Sequence, residues 1–197
     1  MKILFLTSEV APFSRTGGLA DVSKALPKAL KSLGHEVRLI TPRYRSIRER
    51  RHGLREVARL RSLDIEFGGE VHSCAVKSGF IPGAKVQVYF LESERFFNRW
   101  GLYGDPETGA DWPDNHLRFA FLCHASLQLI QHLRWFPDII HCNDWQTALV
   151  PYLLSSDDRY AGDFTSTRSV LHLHNICLLY TSPSPRDLST SRMPSSA

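Results

Sequence analysis

Three short stretches bring together residue types able to do chemistry: SRTGGLADV at 14–22, HCNDWQT at 141–147 and HLHN at 172–175. The first sets a cation, Arg15, two adjacent glycines, Gly17 and Gly18, and an acid, Asp21, directly after an apolar run. Glycines let the backbone turn sharply and approach a ligand closely. Amide groups near a helix start favour an anion, and a guanidinium fork fits phosphate. Together they suggest a phosphate or diphosphate site. Asp21 would repel phosphate but suits the hydroxyls of a polyol beside it, and a diphosphate joined to a sugar satisfies both. A plain tight turn with a dipole-matched aspartate fits the same residues. In the second stretch, Asp144 serves equally well as a cap for a following helix or as a substrate contact. In the third, His172 and His174 share one face of a strand. His174 with Asn175, at the strand end, is the better site candidate.

Composition narrows the classes. The chain has 197 residues, 43% of them hydrophobic and 22% charged, a globular balance with enough apolar material for one domain with a tail. A net charge of +4 carries little information about partners. Cys74, Cys123, Cys142 and Cys177 show no C-x-x-C spacing, and two of them sit in apolar runs, as reduced thiols do in a cytoplasmic protein. The short run 3–6 lacks the apolar core of a signal peptide, and no run has the length of a membrane span. G-x-G-x-x-G, G-x-x-x-x-G-K-[ST] and D-x-D are all missing, which disfavours a dinucleotide enzyme, a P-loop NTPase and a metal bridged through D-x-D. No third ligand joins His172 and His174, so neither a metal nor a cofactor is expected. Eight arginines between 43 and 61 read as a solvated face, because no aromatic interleaving or nucleic-acid motif accompanies them.

These stretches need elements to position them. Residues 2–7 read as a buried strand, and apolar steps from Leu19 to Leu33 read as a helix closed by Gly34, with a kink or break at Pro27. Residues 36–41 give the second strand, so strand, helix and strand form a parallel βαβ unit. Leu63, Ile65 and Phe67 alternate before Gly68-Gly69 and a further run from Val71, a β-hairpin. A strand at 85–91, a loop at 101–114, a buried helix at 116–134 capped by Asp114 or Asn115, a strand at 139–142, a helix at 145–155 and a strand at 169–174 follow. The three chemical stretches then fall at the carboxyl ends of strands, where parallel sheets bind ligands.

Their order resembles the N-terminal half of the bacterial glycogen synthases and plant starch synthases. That family opens with S-E-x-x-P-[FY]-x-K-T-G-G-L-[AG]-D-V, matched here by Ser8, Glu9, Pro12, Phe13, Thr16, Gly17, Gly18, Leu19, Ala20, Asp21 and Val22. ALPKAL at 25–30, PRY at 42–44, LYG at 102–104, DWPDNHLRF at 111–119, HCNDWQT at 141–147 and HN at 174–175 match further family blocks. The resemblance covers residues 1 to about 176. It implies a Rossmann-like parallel sheet flanked by helices, the N-terminal half of a GT-B glycosyltransferase, with the hairpin as an insertion. It also implies transfer of glucose from ADP-glucose to the non-reducing end of an α-1,4-glucan such as glycogen, with retention and without metal. By match, Arg15, Thr16, Gly17, Gly18, Asp21, Tyr103 and Asn175 bind the donor, and His174 and Asp144 are the catalytic candidates. His174 is expected to act as a neutral donor near the transferred glucose.

The chain departs from the pattern in two places. Arginine stands at 15 where the family carries lysine. After 176 no second nucleotide-binding pattern follows, and the family's Tyr-Gln-Gly type continuation is missing. Eleven of the 21 residues in 177–197 are Ser, Pro or Thr, so this stretch reads as a disordered, non-native tail on a truncated, inactive fragment. A stand-alone glucan- or nucleotide-sugar-binding module, and a retaining transferase of sucrose-synthase type, are the competing expectations.

Overall fold

The computed structural model describes residues 1–174; Asn175 and the whole tail 177–197 lie outside the described residues. Strand β1 (Lys2–Leu6) is buried from Ile3 to Leu6, as a strand covered on both faces must be. Helix α1 (Leu19–Ser32) follows and ends in a Schellman turn: Gly34, at φ +88°, donates to Lys31 O, and His35 N donates to Leu30 O at 3.2 Å. The expected break at Pro27 does not occur. α1 runs through it as one element, with the proline buried on its core face, so packing outweighs the one amide bond that proline cannot make.

Next come β2 (Glu36–Pro42), a single turn α2 (Glu49–His52) and the short β3 (Arg55–Glu56). β4 (Leu63–Phe67) and β5 (Glu70–Phe80) form the expected hairpin. Gly68 and Gly69 have φ of 63° and 79°, the double left-handed turn that matches strand twist and that glycine alone adopts without strain. β6 (Gln87–Glu92), the turn α3 (Glu94–Phe97), the long α4 (Asn115–Leu133), β7 (Ile139–Asn143), α5 (Leu149–Ser156), the turn α6 (Asp158–Ala161) and β8 (Arg168–His172) complete the order. The helix expected at 145–155 is split: Trp145–Thr147 form a 3-10 turn, and α5 begins only at Leu149.

β6, β2, β1, β7 and β8 lie side by side in that order and are all parallel. The chain therefore builds outward from β1 on one side, then crosses through α4 and builds outward on the other. That reversal opens a crevice at the carboxyl ends of β1 and β7. The hairpin is not a separate layer. β5 pairs antiparallel along β6 and extends the main sheet, and β3 pairs with β5 beyond it. The architecture is α/β, a mostly parallel sheet flanked by helices with an antiparallel insertion. No helix among the described residues is long and apolar enough to cross a membrane.

Two features of packing bear on stability. Phe96 and Phe121 stack at 4.3 Å, with Phe67 and His72 set edge-on against them, which ties α3, α4 and the hairpin together. On the other side of the hairpin, Lys77 and Arg43 both donate to Glu49, and Glu92 faces the same two cations. Arg43 is therefore not part of the solvated arginine face. The bond from Lys77, then the Arg43 charge, holds the Glu49 carboxyl below its ordinary 4.5. A depressed carboxyl contributes stability that is complete above its unfolded value and fades as pH falls through the folded one. Glu49→Gln is accordingly expected to flatten the acid limb of melting temperature against pH below about 4.5. An acid limb as steep as the parent's would count against that role.

Candidate functional site

The loop after β1 is held by its own acid. Glu9 is 3% exposed, and its carboxylate accepts from the Thr16 amide at 2.5 Å, the Thr16 hydroxyl at 3.0 Å and the Tyr103 hydroxyl at 3.0 Å. Burial, with Tyr44 and Glu9 nearby, raises the Tyr103 pKa well above normal, so the phenol keeps its proton and donates. Ser8 Oγ, 2.7 Å away, supplies a hydrogen bond in return. Tyr44, from the PRY block, donates to Ser8 O at 2.9 Å. One acid thus fastens 9–16 to 101–114, two segments more than 80 residues apart.

The 101–114 loop is anchored from the other side. Asn115 Nδ2 donates to Tyr103 O at 2.6 Å. Arg118, 0% exposed, donates to Asn115 Oδ1 at 2.6 Å, Leu102 O at 2.9 Å and Phe96 O at 2.7 Å. Neither Asp114 nor Asn115 caps α4 with its side chain, contrary to expectation. Asp114 instead takes both Arg99 guanidinium nitrogens at 2.6 Å, and Asn115 is spent on the loop.

Between these segments lies a cleft of ≈260 Å³. Thr16, Gly17 and Glu9 form one wall, Tyr103, Asp111 and Asn115 another, and Trp145 and Gln146 close it from the end of β7. Phe119 packs against both Tyr103 and Trp145, at 5.8 and 5.1 Å, and so fixes the two aromatic walls. Aromatic faces with carboxylate and amide acceptors suit a polyol. The walls carry no cation, so they do not suit a phosphate.

Gly18 occupies the N-cap position of α1, and neither it nor Gly17 adopts a positive φ. A Cβ built on either would meet nothing within 4 Å. The sharp turn expected of this pair is therefore not what requires glycine; what the pair leaves is open space over exposed backbone. Arg15 does not point at the cleft wall. It pairs with Asp21 at 2.8 Å, both side chains more than half exposed, so Asp21 is engaged by the cation rather than free for hydroxyls.

The remaining candidates meet at the ends of β7 and β8. Asp144 has φ 58° and ψ −177°, a conformation costly for any residue but glycine. Its amide donates to His172 O at 2.8 Å, and its carboxylate accepts the His174 amide at 2.6 Å. Asp144 therefore clamps the chain after β8. His172 and His174 share a face as expected, with ring centroids 3.9 Å apart. His141, stacked on Phe5, sits against His172. Burial and the two neighbouring imidazoles push its pKa down to about 4, and burial and His172 lower that of His174. Asn175 is outside the described residues. Cys74, Cys123 and Cys142 are buried free thiols, the first two pushed up to about 12 by burial. Among the described residues no three His, Cys, Asp or Glu side chains are grouped to hold a metal ion.

So the structure gathers Thr16, Gly17 and Tyr103 in the cleft, sets Gly18, Arg15 and Asp21 beside that wall along the chain, and joins Asp144 to His174 at the ends of β7 and β8, next to the cleft-lining Trp145. Sequence reasoning gave no site role to Glu9, Asp111, Asn115, Gln146, Asn143 or Arg118. All six stood inside the quoted blocks, and nothing local distinguished them.

Comparison with known proteins gives the family and supports the fold. The family model for the starch synthase catalytic domain matches residues 2–196. Glycogen synthase 2 of Geobacter sulfurreducens is 44% identical over 191 residues, covering 94% of this chain and 37% of the relative. Glycogen synthase of Myxococcus xanthus is 47% identical over 191 residues, covering 95% and 38%. A solved structure of the catalytic domain of starch synthase IV from Arabidopsis thaliana, bound to ADP and acarbose, superposes with a TM-score of 0.77 at 32% identity, covering 88% of this chain and 34% of that one. The chain thus spans a little over a third of the length of these relatives, and it belongs to the starch synthase catalytic domain family.

Proposed function

We propose that this domain serves a glycogen synthase that transfers glucose from ADP-glucose to the non-reducing end of an α-1,4-glucan, with retention. The observation that carries the proposal is the cleft at the strand-order reversal, polyol-binding in character, beside two uncrowded glycines and an exposed guanidinium. The glucan end takes the acid- and aromatic-walled cleft, where Glu9 and Asp111 meet hydroxyls and Trp145 meets a sugar face. The donor diphosphate lies over the Gly17–Gly18 backbone, where the start of α1 favours negative charge, and Arg15 exchanges Asp21 for phosphate. Asp21 orders the loop until then. Asp144 holds the chain of His174, and His174 contacts the transferred glucose. The Arabidopsis relative, solved with a nucleotide and an oligosaccharide analogue, supports both halves of this reading. The reaction is assigned to the cytoplasm, where the three buried thiols stay reduced.

The test is incorporation of radiolabelled glucose. A full-length enzyme carrying this domain is expected to elongate glycogen from ADP-glucose. A polypeptide of these 197 residues alone, which spans a little over a third of its relatives' length, is expected to give no more than a heat-killed control. No incorporation by the full-length enzyme with ADP-glucose would overturn the proposal.

A further inference from the structure

Asn143, the last residue of β7, is fully buried and touches three strands. Its Nδ2 donates to Leu6 O on β1 at 2.9 Å and to His141 O at 3.2 Å. The reversed amide would face its oxygen against two carbonyl oxygens, so the orientation is fixed by the backbone around it. Oδ1 is therefore turned to His174 Nε2, 3.0 Å away. An amide oxygen only accepts, so Nε2 carries the hydrogen. The ring cannot easily rotate to escape this bond. Its backbone amide is held by Asp144, and its face lies 3.9 Å from the His172 ring.

We propose that Asn143 is a positioning residue that fixes His174 in the Nε2–H tautomer, leaving Nδ1 as the acceptor of the neutral ring. This rests on the reading of His174 given above and changes its chemistry. With its one N–H spent on Asn143, neutral His174 accepts a hydrogen bond from a hydroxyl of the transferred glucose. It does not donate to developing negative charge, the role the sequence suggested. Among the described residues, the titratable groups near the ring are His172 on β8, His141 on β7 and Asp144 beyond β7, while on β1 Phe5 stacks on His141 and the Leu6 carbonyl takes the Asn143 amide. Burial and His172 keep His174 below the usual histidine range, so the neutral ring, for which tautomer matters, prevails near pH 7.

Long-range proton–nitrogen correlation of the histidine side chains in the 197-residue chain tests the assignment without any turnover. The parent is expected to show His174 protonated at Nε2. Asn143→Asp keeps the acceptor oxygen and needs a proton on the oxygen that meets the Leu6 and His141 carbonyls, so Nε2–H on His174 is expected to persist. Asn143→Leu removes the acceptor and is expected to give mixed tautomers. An Nδ1–H parent, or loss of Nε2–H in Asn143→Asp, overturns the inference and leaves the family reaction standing. In the full-length enzyme, Asn143→Leu is expected to lower kcat by roughly tenfold or more with the KM for glucan little changed. A parental kcat in a variant whose tautomer has changed would overturn instead the part given to His174 in turnover, and the inference with it.

Discussion

Arg118→Leu is expected to destabilise the domain by about 3–5 kcal/mol, a melting temperature lower by roughly 10 °C or more. The guanidinium is fully buried among neutral acceptors: Phe96 O, Leu102 O and Asn115 Oδ1. Leucine fills part of the volume and removes a costly buried charge, which is a gain. It also strands two buried carbonyls and an amide oxygen, each costing about 1–3 kcal/mol. The three losses exceed the gain because Phe96 O and Leu102 O are fixed in the backbone and cannot turn to water, and Asn115 is held by its own bond to Tyr103 O. The damage has a direction. Leu102 O and Asn115 hold the 101–114 loop, so Tyr103 should lose its grip on Glu9 before the sheet melts. Urea and thermal melts measure the first effect, and faster protease cleavage within 101–114 under native conditions measures the second. A melting temperature within a couple of degrees of the parent would show that the buried charge costs as much as its bonds return.

Arg15→Ala in the full-length enzyme is expected to weaken ADP-glucose use by roughly 10- to 150-fold, the equivalent of losing a charge-assisted contact of about 1.5–3 kcal/mol. The ground-state partner is no obstacle. The ion pair with Asp21 has side chains 63% and 53% exposed, and such surface pairs contribute little, so the cation exchanges readily for phosphate. Glucan affinity should stay near the parent's, since the cleft walls include neither residue of the pair. Arg15→Lys should recover much of the loss, because charge is kept although the planar fork is not. Kinetics varying ADP-glucose at saturating glycogen decide the matter. Near-parental kinetics for the alanine variant would mean that Arg15 serves only Asp21 and the loop.

The strands, the hairpin and the placing of three polar clusters at strand ends follow from local pattern. Ile3–Leu6 is an apolar run only a doubly covered strand can use, Gly68-Gly69 dictates a tight double left-handed turn, and Gly34 closes α1. These features repeat with the strand or helix period, and that period is written in neighbouring residues. Where local chemistry offered two answers, the sequence could not choose. Asp114 was a cap by type, yet it pairs with Arg99, 15 residues back, because a bidentate guanidinium outcompetes an amide. Arg118 was a surface residue by type, yet it sits in the core because carbonyls 16 and 22 residues away converge on it. The cleft itself needs Glu9 and Tyr103 to meet across 94 residues, and the His174 tautomer needs Asn143 to bond both His174, 31 residues ahead, and Leu6, 137 residues behind. Sequence alone determined the main strands, the hairpin, α1 and α4, and which polar clusters stand at the strand ends. The parallel order β6-β2-β1-β7-β8 decided which of those ends become neighbours, because side-chain chemistry acts over a few ångströms of space and has no fixed distance along the chain.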